Sequence, residues 1–264
     1  CGTPAAPGRV SPALPEIEKR IARLDVCGQI ERAKARVSSK IKDGKYVAYF
    51  QSYTNTYGPL PYLTALFSQA VSHPDIAALS IGTRPDCLPE ETIELLKKLN
   101  QEKPVWVELG LQTIHEDSAR LIRRGYLDAL RRLKEAGLTV VVHVILGLPG
   151  ETREDMLETV RFLGRLNNPS IDGIKLQLLH VLKGTELCRL YEREPFHVME
   201  PEEYFSLIAD CIRLLPPHIV IHRISGDGPK SLLEAPLWSG NKRFVLNSIA
   251  KTLRETGAFQ GEWA

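Results

Sequence analysis

The sequence predicts an α/β protein: an open or partial barrel of parallel strands. Three observations predict it. Strand-like and helix-like segments alternate with short connections from Tyr46 onward, the pattern of right-handed crossovers. Several strand-like runs are apolar throughout, as strands covered on both faces are. Polar residues collect where those runs end, which is where α/β folds place their chemistry. A doubly wound sheet accommodates the same pattern and stays open at this point.

The elements follow in order. Residues 1–12, rich in Gly, Pro and Ala, read as irregular, and Leu14–Lys42 as two charged helices broken near Gly28. Tyr46–Gln51 is aromatic and β-branched between Gly44 and the Asn55, Gly58, Pro59 punctuation, so it reads as a buried strand. Pro61–Ser72 reads as a helix, Ile76–Ile81 as a strand, and Pro89–Asn100 as a helix with proline in its first turn. Val105–Leu109 is a strand, followed by a helical segment His115–Arg123 and a helix Leu127–Ala136 that Gly137 caps. Leu138–Leu146 is a strand, and Glu151–Leu163 is a helix with acidic residues in its first turn, where the helix dipole favours them. Ile171–Leu179 is a strand, Glu186–Arg193 and Glu200–Leu214 are helices, Ile219–Ile224 is the sixth strand, and Lys242–Thr256 the last helix.

Composition narrows the function. At 264 residues, with 43% hydrophobic and 25% charged residues, the chain buries a core without staples, and wholesale disorder is excluded. Lys+Arg 34 against Asp+Glu 32 leaves +2, which argues against coating nucleic acid by charge alone. No run approaches the ~18 apolar residues of a membrane span. The opening Cys1-Gly-Thr-Pro is neither a signal nor a transit peptide and lacks a start Met, which reads as a fragment or processed form. Five scattered cysteines are no disulfide framework and point to a reducing cytoplasm. Dinucleotide and P-loop fingerprints, the Gly-x-Ser-x-Gly elbow, His-Glu-x-x-His and Cys-x-x-Cys are all missing from the sequence.

What stands at the strand ends is polar and unusual. The runs are Gln51–Tyr57, Gly82–Cys87, Glu108–Thr113, His143 with Gly147–Gly150, Lys175, Gln177 and His180 with Lys183–Thr185, and His222, Arg223 with Gly226–Pro229. Singly, each reads as turn chemistry and helix caps. Together they give six strands delivering polar side chains to one rim. A buried Glu108 or Lys175 would then need a partner or a ligand.

These runs, in this order, resemble the radical S-adenosylmethionine (SAM) superfamily. The motifs are Tyr49–Tyr57, Ile81–Pro89, Val107–Thr113, His143–Thr152, Gly173–His180 with Leu182–Thr185, and Ile221–Pro229. The subgroup resembled is the bacterial YhcC/YtqA type, similar to the catalytic subunit of Elongator. The resemblance implies a partial (β/α)6, TIM-like barrel over residues 1–184 and a family extension over 185–264. It implies a 4Fe–4S cluster held by three cysteines, with an open iron that chelates SAM. One electron then cleaves the sulfonium to a 5′-deoxyadenosyl radical that abstracts hydrogen. Cys1 matches the third cluster cysteine, and the first barrel strand and two earlier cysteines would precede it.

Residue roles carry over position by position. Gln51, Ser52 and Thr54 match contacts to the methionine end of the cofactor, and Thr83 and Arg84 follow the next strand. Gln112 and Arg124 match ribose or carboxylate contacts. His143 matches a polar strand position facing the cofactor, and Gly147 and Leu148 match the segment packing on adenine. Glu108, Lys175 and His180, with Lys183, are the candidates for substrate contact and catalysis. Simpler roles compete: a salt bridge for Arg84 and Arg124, a hydrogen-bonded core histidine for His180 and His222, packing for Trp106, Trp238 and Trp263.

The implied partners are a cellular electron donor and a substrate that is a small molecule or RNA, with no membrane. Two other classes stay open: a cluster-less barrel binding a ligand or partner, and an ordinary barrel lyase or hydrolase using Glu108 and Lys175 as acid and base.

Overall fold

Aromatic and β-branched residues put Tyr46–Phe50 into an extended strand, β1. The computed structural model describes residues 14–39, 44–51, 54–115, 119–226 and 228–264; the side chains of 14–15 and 119–124 are also left aside. The remaining strands of the main sheet are β2 (Ile76–Thr83), β3 (Val105–Gln112), β4 (Thr139–Leu146), β5 (Gly173–Leu178) and β7 (Val220–Arg223). They lie in the order β1-β2-β3-β4-β5-β7, and the β1/β2, β2/β3, β4/β5 and β5/β7 pairs run parallel. Helices separate them: α3 (Leu60–Ser72), α4 (Glu90–Glu102), α5 (Ala119–Glu135), α6 (Arg153–Gly164), α7 (Glu186–Arg193) and α8 (Pro201–Leu214). This sequential, parallel order is the topology of a partial (β/α)6 barrel, as predicted. Two helices, α1 (Leu14–Ala22) and α2 (Val26–Val37), precede it, and α9 (Lys242–Thr256) follows.

Three expectations are corrected. The break between α1 and α2 falls at Arg23–Asp25, not at Gly28. Gly28 is the third residue of α2, where its N–H donates to the Asp25 carboxylate at 2.9 Å; a Cβ there would meet that carboxylate at 2.3 Å. The glycine therefore admits the cap rather than ending a helix. Second, α5 runs unbroken through Gly125. The buried side chains of Tyr126, Leu130 and Leu133 outweigh the ~1 kcal/mol a helical glycine costs. Of the predicted His115–Arg123 helix, residues 116–118 lie outside the described residues. Third, a small antiparallel sheet of β6 (Val181–Leu182) and β8 (Leu233–Ala235) was not anticipated, being too short to show periodicity.

Contacts group the chain into two units. One comprises the residues up to Gly110 with Gly125–Val140; the other comprises Leu111–Arg124 with Val141–Ala264. In the first, Phe67 of α3 is fully buried and meets Phe50 edge-on at 5.0 Å, and Leu79, Ile81 and Leu96 are buried as well. Each such side chain contributes roughly 2–3 kcal/mol by leaving water. The α2 helix is clasped to the start of β2 by Lys34, whose ammonium lies 2.5 Å from Asp75 and 2.8 Å from Glu31; His73 Nε2 stands 3.0 Å from Glu31.

In the second unit, Val160 and Leu163 of α6, Ile174 and Leu176 of β5 and Leu207 of α8 are buried. The α6 helix begins at a reciprocal cap: Thr152 accepts from the Asp155 N–H while the Asp155 carboxylate accepts from the Thr152 N–H. Trp238 packs with Tyr204 and Phe205 and donates to the Met199 carbonyl at 2.9 Å, the packing role anticipated for it.

Candidate functional site

In the first unit the chemistry gathers on one face of the sheet. Tyr49 pairs in register with Ser80, Ser80 with Trp106, and Gly82 with Glu108, so alternation puts Tyr49, Ser80 and Glu108 on the same side. Glu108 is 3% exposed. The Tyr49 hydroxyl donates to its Oε2 at 2.7 Å, and the Ser80 hydroxyl donates to Oε1. A carboxylate this deep requires such donors, because an unpaired buried charge costs several kcal/mol. Glu108 was anticipated. Tyr49 and Ser80 as its donors were not, although strand alternation with the correct register identifies both.

The segment after β1 closes over the end of β2. Asn55 Nδ2 donates to the Phe50 and Gly82 carbonyls at 2.9 and 3.0 Å. Thr83 is buried, its hydroxyl hydrogen-bonded to that of Thr56, which also donates to the Cys87 carbonyl. Gln51 is exposed at the end of β1, Thr54 is half-buried, and Ser52 lies outside the described residues. Arg84 grips Asp86 as a fork, Nε to Oδ1 at 2.9 Å and Nη2 to Oδ2 at 2.6 Å. Its simpler role, a local ion pair, is thus realised.

In the second unit, Gln112 ends β3 with φ +68, turning the chain sharply. Thr113 donates to Glu151, and the Ile114 N–H reaches the Thr159 hydroxyl at 3.4 Å. Across β4, β5 and β7, His143 pairs in register with Lys175, and Lys175 with Arg223. Lys175 is 6% exposed, and Gln177 Nε2 lies 3.1 Å from His143 Nδ1. The structure therefore brings His143 and Lys175 side by side. The side chain of Arg124 lies outside the description.

His180 follows β5 and is gripped by the loop after β7. The Gly228 N–H donates to its Nδ1 at 3.2 Å, which leaves the ring proton of the neutral imidazole on Nε2. A Cβ on Gly226 or Gly228 would strike this ring at 2.4 or 2.8 Å. Lys183 is exposed and pairs with Glu234 at 3.5 Å. Gly147 donates its N–H to Met156 Sδ at 3.0 Å. With Leu148, Glu151, Met156, His197 and Met199 it lines a cavity of about 540 Å³.

The cysteines bear on any iron–sulfur centre. Cys27 is exposed, whereas Cys87, Cys188 and Cys211 are buried. Burial raises all three thiol pKa values, that of Cys211 to about 12, so they stay protonated. Among the described residues no cluster of metal-ligating side chains includes a cysteine. The described cysteines therefore do not fit a 4Fe–4S cluster. Cys1 lies outside the described residues.

Comparison with known proteins adds the following. A family model described as the radical SAM superfamily matches residues 11–163, and one described as the Radical_SAM C-terminal domain matches 171–255. The chain is 41% identical over 244 residues to the uncharacterized protein YtqA of Bacillus subtilis, covering 90% of this chain and 75% of that one. It is 31% identical over 163 residues to a tRNA uridine(34) acetyltransferase of Methanocaldococcus infernus, covering 59% of this chain and 30% of the relative. Among solved structures, the archaeal Methanocaldococcus infernus Elp3 with an N-terminus deletion superposes with a TM-score of 0.69 at 21% identity, over 86% of this chain and 58% of that one.

Proposed function

Because the chain belongs to the radical SAM superfamily, we propose that it is a radical SAM enzyme acting on an RNA nucleotide with electrons from a cellular reductant. A 4Fe–4S cluster and SAM, when bound, supply one-electron cleavage of a sulfonium. The cluster's thiolates come from outside the described residues, Cys1 among them.

The chain's own residues bind and orient. Gln51, Ser52 and Thr54 hold the methionine end of SAM, with Thr83 and Arg84 shaping the neighbouring strand end. In the second unit, the resemblance assigns ribose and carboxylate contacts to Gln112, Arg124 and His143, and adenine packing to Gly147 and Leu148. In the first unit Glu108, held by Tyr49 and Ser80, would present a fixed carboxylate to the substrate; in the second, Lys175 and His180 are the candidates for substrate contact.

The observation that carries this reading is the family match across residues 11–163, on a parallel sheet with Glu108 buried and doubly hydrogen-bonded on one face. The RNA assignment draws on the relative named for tRNA. The test is anaerobic reconstitution of the full gene product with iron and sulfide, then reduction with SAM, with and without bulk tRNA. Iron–sulfur absorbance and 5′-deoxyadenosine formation that rises with tRNA are expected. A protein that takes up no cluster overturns the enzyme reading. Equal 5′-deoxyadenosine with and without tRNA overturns the RNA assignment.

A second reading, a cluster-less barrel that binds a ligand, draws on the buried, protonated cysteines. SAM binding without cluster uptake selects it.

A further inference from the structure

We propose that His115, Asp155 and Glu158 form a divalent-cation site separate from the radical chemistry. The site joins two elements of the second unit. His115 sits in the turn after β3, where its N–H donates to the Thr113 hydroxyl at 3.1 Å and the neighbouring Ile114 N–H reaches buried Thr159 of α6. This docking holds the imidazole against α6. Asp155 and Glu158 are three residues apart on that helix, so both carboxylates face the same way.

His115 faces both carboxylates, one with each ring nitrogen. His115 Nδ1 lies 3.8 Å from Asp155 Oδ1, and Nε2 lies 3.5 Å from Glu158 Oε2. One donor atom from each of the three residues falls within 4.8 Å of the others. Ligands about 2.0–2.2 Å from a shared ion stand roughly 3–3.5 Å apart, so the His115–Glu158 pair already has the spacing. An ion takes one ring nitrogen only, Nε2 beside Glu158, with the Asp155 donor inside the same 4.8 Å limit. The second Asp155 oxygen stays with the Thr152 N–H and hydroxyl at 2.8 and 2.6 Å.

Two further observations point to a cation. His115 Nε2 is shielded from solvent and makes no hydrogen bond. Solvent-shielded ring nitrogens are ordinarily partnered. Second, neither Asp155 nor Glu158 has a lysine or arginine partner among the described residues. The contrast lies within the same chain. Glu31, His73 and Asp75 form a cluster of the same composition, and there the Lys34 ammonium sits on the two carboxylates. Among the described residues none supplies such a cation at His115. A nitrogen-and-carboxylate donor set suits Zn²⁺, Mn²⁺ or Fe²⁺, with the remaining positions open to water.

The test uses Co²⁺ as the probe on the full gene product after chelation. Wild type is expected to bind it with d–d bands and no thiolate-to-cobalt charge transfer from this site. Glu158→Gln and His115→Asn should each weaken that binding at least tenfold. Glu158 is exposed and the glutamine is isosteric, so this variant keeps the fold, as circular dichroism will verify. Co²⁺ bound only with thiolate bands, or bound equally by wild type and both variants, overturns the site. So does failure of Co²⁺ to bind, which leaves a histidine clasp on two carboxylates. None of these readouts depends on cluster assembly or SAM cleavage.

Discussion

The Tyr126 hydroxyl is fully buried and has no hydrogen-bond partner among the described residues. Burial holds its phenol far above the usual tyrosine range, so it stays protonated. Tyr126→Phe removes an unsatisfied polar atom and keeps the ring. Urea denaturation should show the variant more stable by about 1 kcal/mol, and a destabilised variant contradicts the geometry. Glu108 carries the opposite expectation, since its carboxylate satisfies two hydroxyls. Glu108→Gln should cost about 1–3 kcal/mol of stability and depress SAM-dependent turnover at least tenfold with unchanged circular dichroism. Turnover equal to wild type removes Glu108 from the proposed contact set. At this scale the sequence was partly legible. Glu108 and Lys175 stood out because charged residues inside apolar runs demand partners. Their surroundings did not: Ser80 looks like any strand serine until the register puts it on the same face as the carboxylate two positions along the next strand. Arg84 shows the converse, a conspicuous residue that its neighbour Asp86 occupies.

Elements depend on where backbones approach. Gly164 ends α6 where a Cβ would stand 2.8 Å from the Leu214 carbonyl of α8 and 3.2 Å from Pro216. Backbone cannot yield as a side chain does, so Gly164→Ala should cost about 1–3 kcal/mol, read as a lowered urea midpoint. An unchanged midpoint would mean that the two helices can part freely. The alternation of elements was legible because apolar runs and caps such as Thr152 and Gly137 are local signals. Gly28 and Gly125 misled for a shared reason. A glycine's meaning depends on what approaches it: in α2 it admits a cap, and in α5 the flanking buried residues override it.

For the whole molecule, the order of the six strands followed from the rule that sequential strands joined by helices pair in parallel. The β6/β8 pair escaped because its strands of two and three residues are recognisable only once they meet. Stability should follow pH through the Lys34 clasp. Hydrogen bonds from Lys34 lead the effects that lower the Asp75 and Glu31 carboxyls from their ordinary 3.8 and 4.5, and bonds to Asp75 and Glu31 raise the Lys34 ammonium from 10.5. The carboxylates' contribution is therefore complete above their ordinary values and lost as pH falls through the depressed ones. The ammonium's contribution is complete below 10.5 and lost as pH rises through its raised value. Lys34→Met should lower Tm at pH 7, and the gap to wild type should narrow on acidification below 3.8. A gap independent of pH would mean that the clasp contributes by packing alone.

Only two methionines occur in the chain, and they converge on a single peptide: Met156 Sδ accepts the Gly147 N–H, and Met199 packs over the same Cα. Selective ¹³C-methyl methionine labelling would accordingly station two reporter resonances at one turn. Whatever enters the adjoining cavity would be visible without assigning another signal.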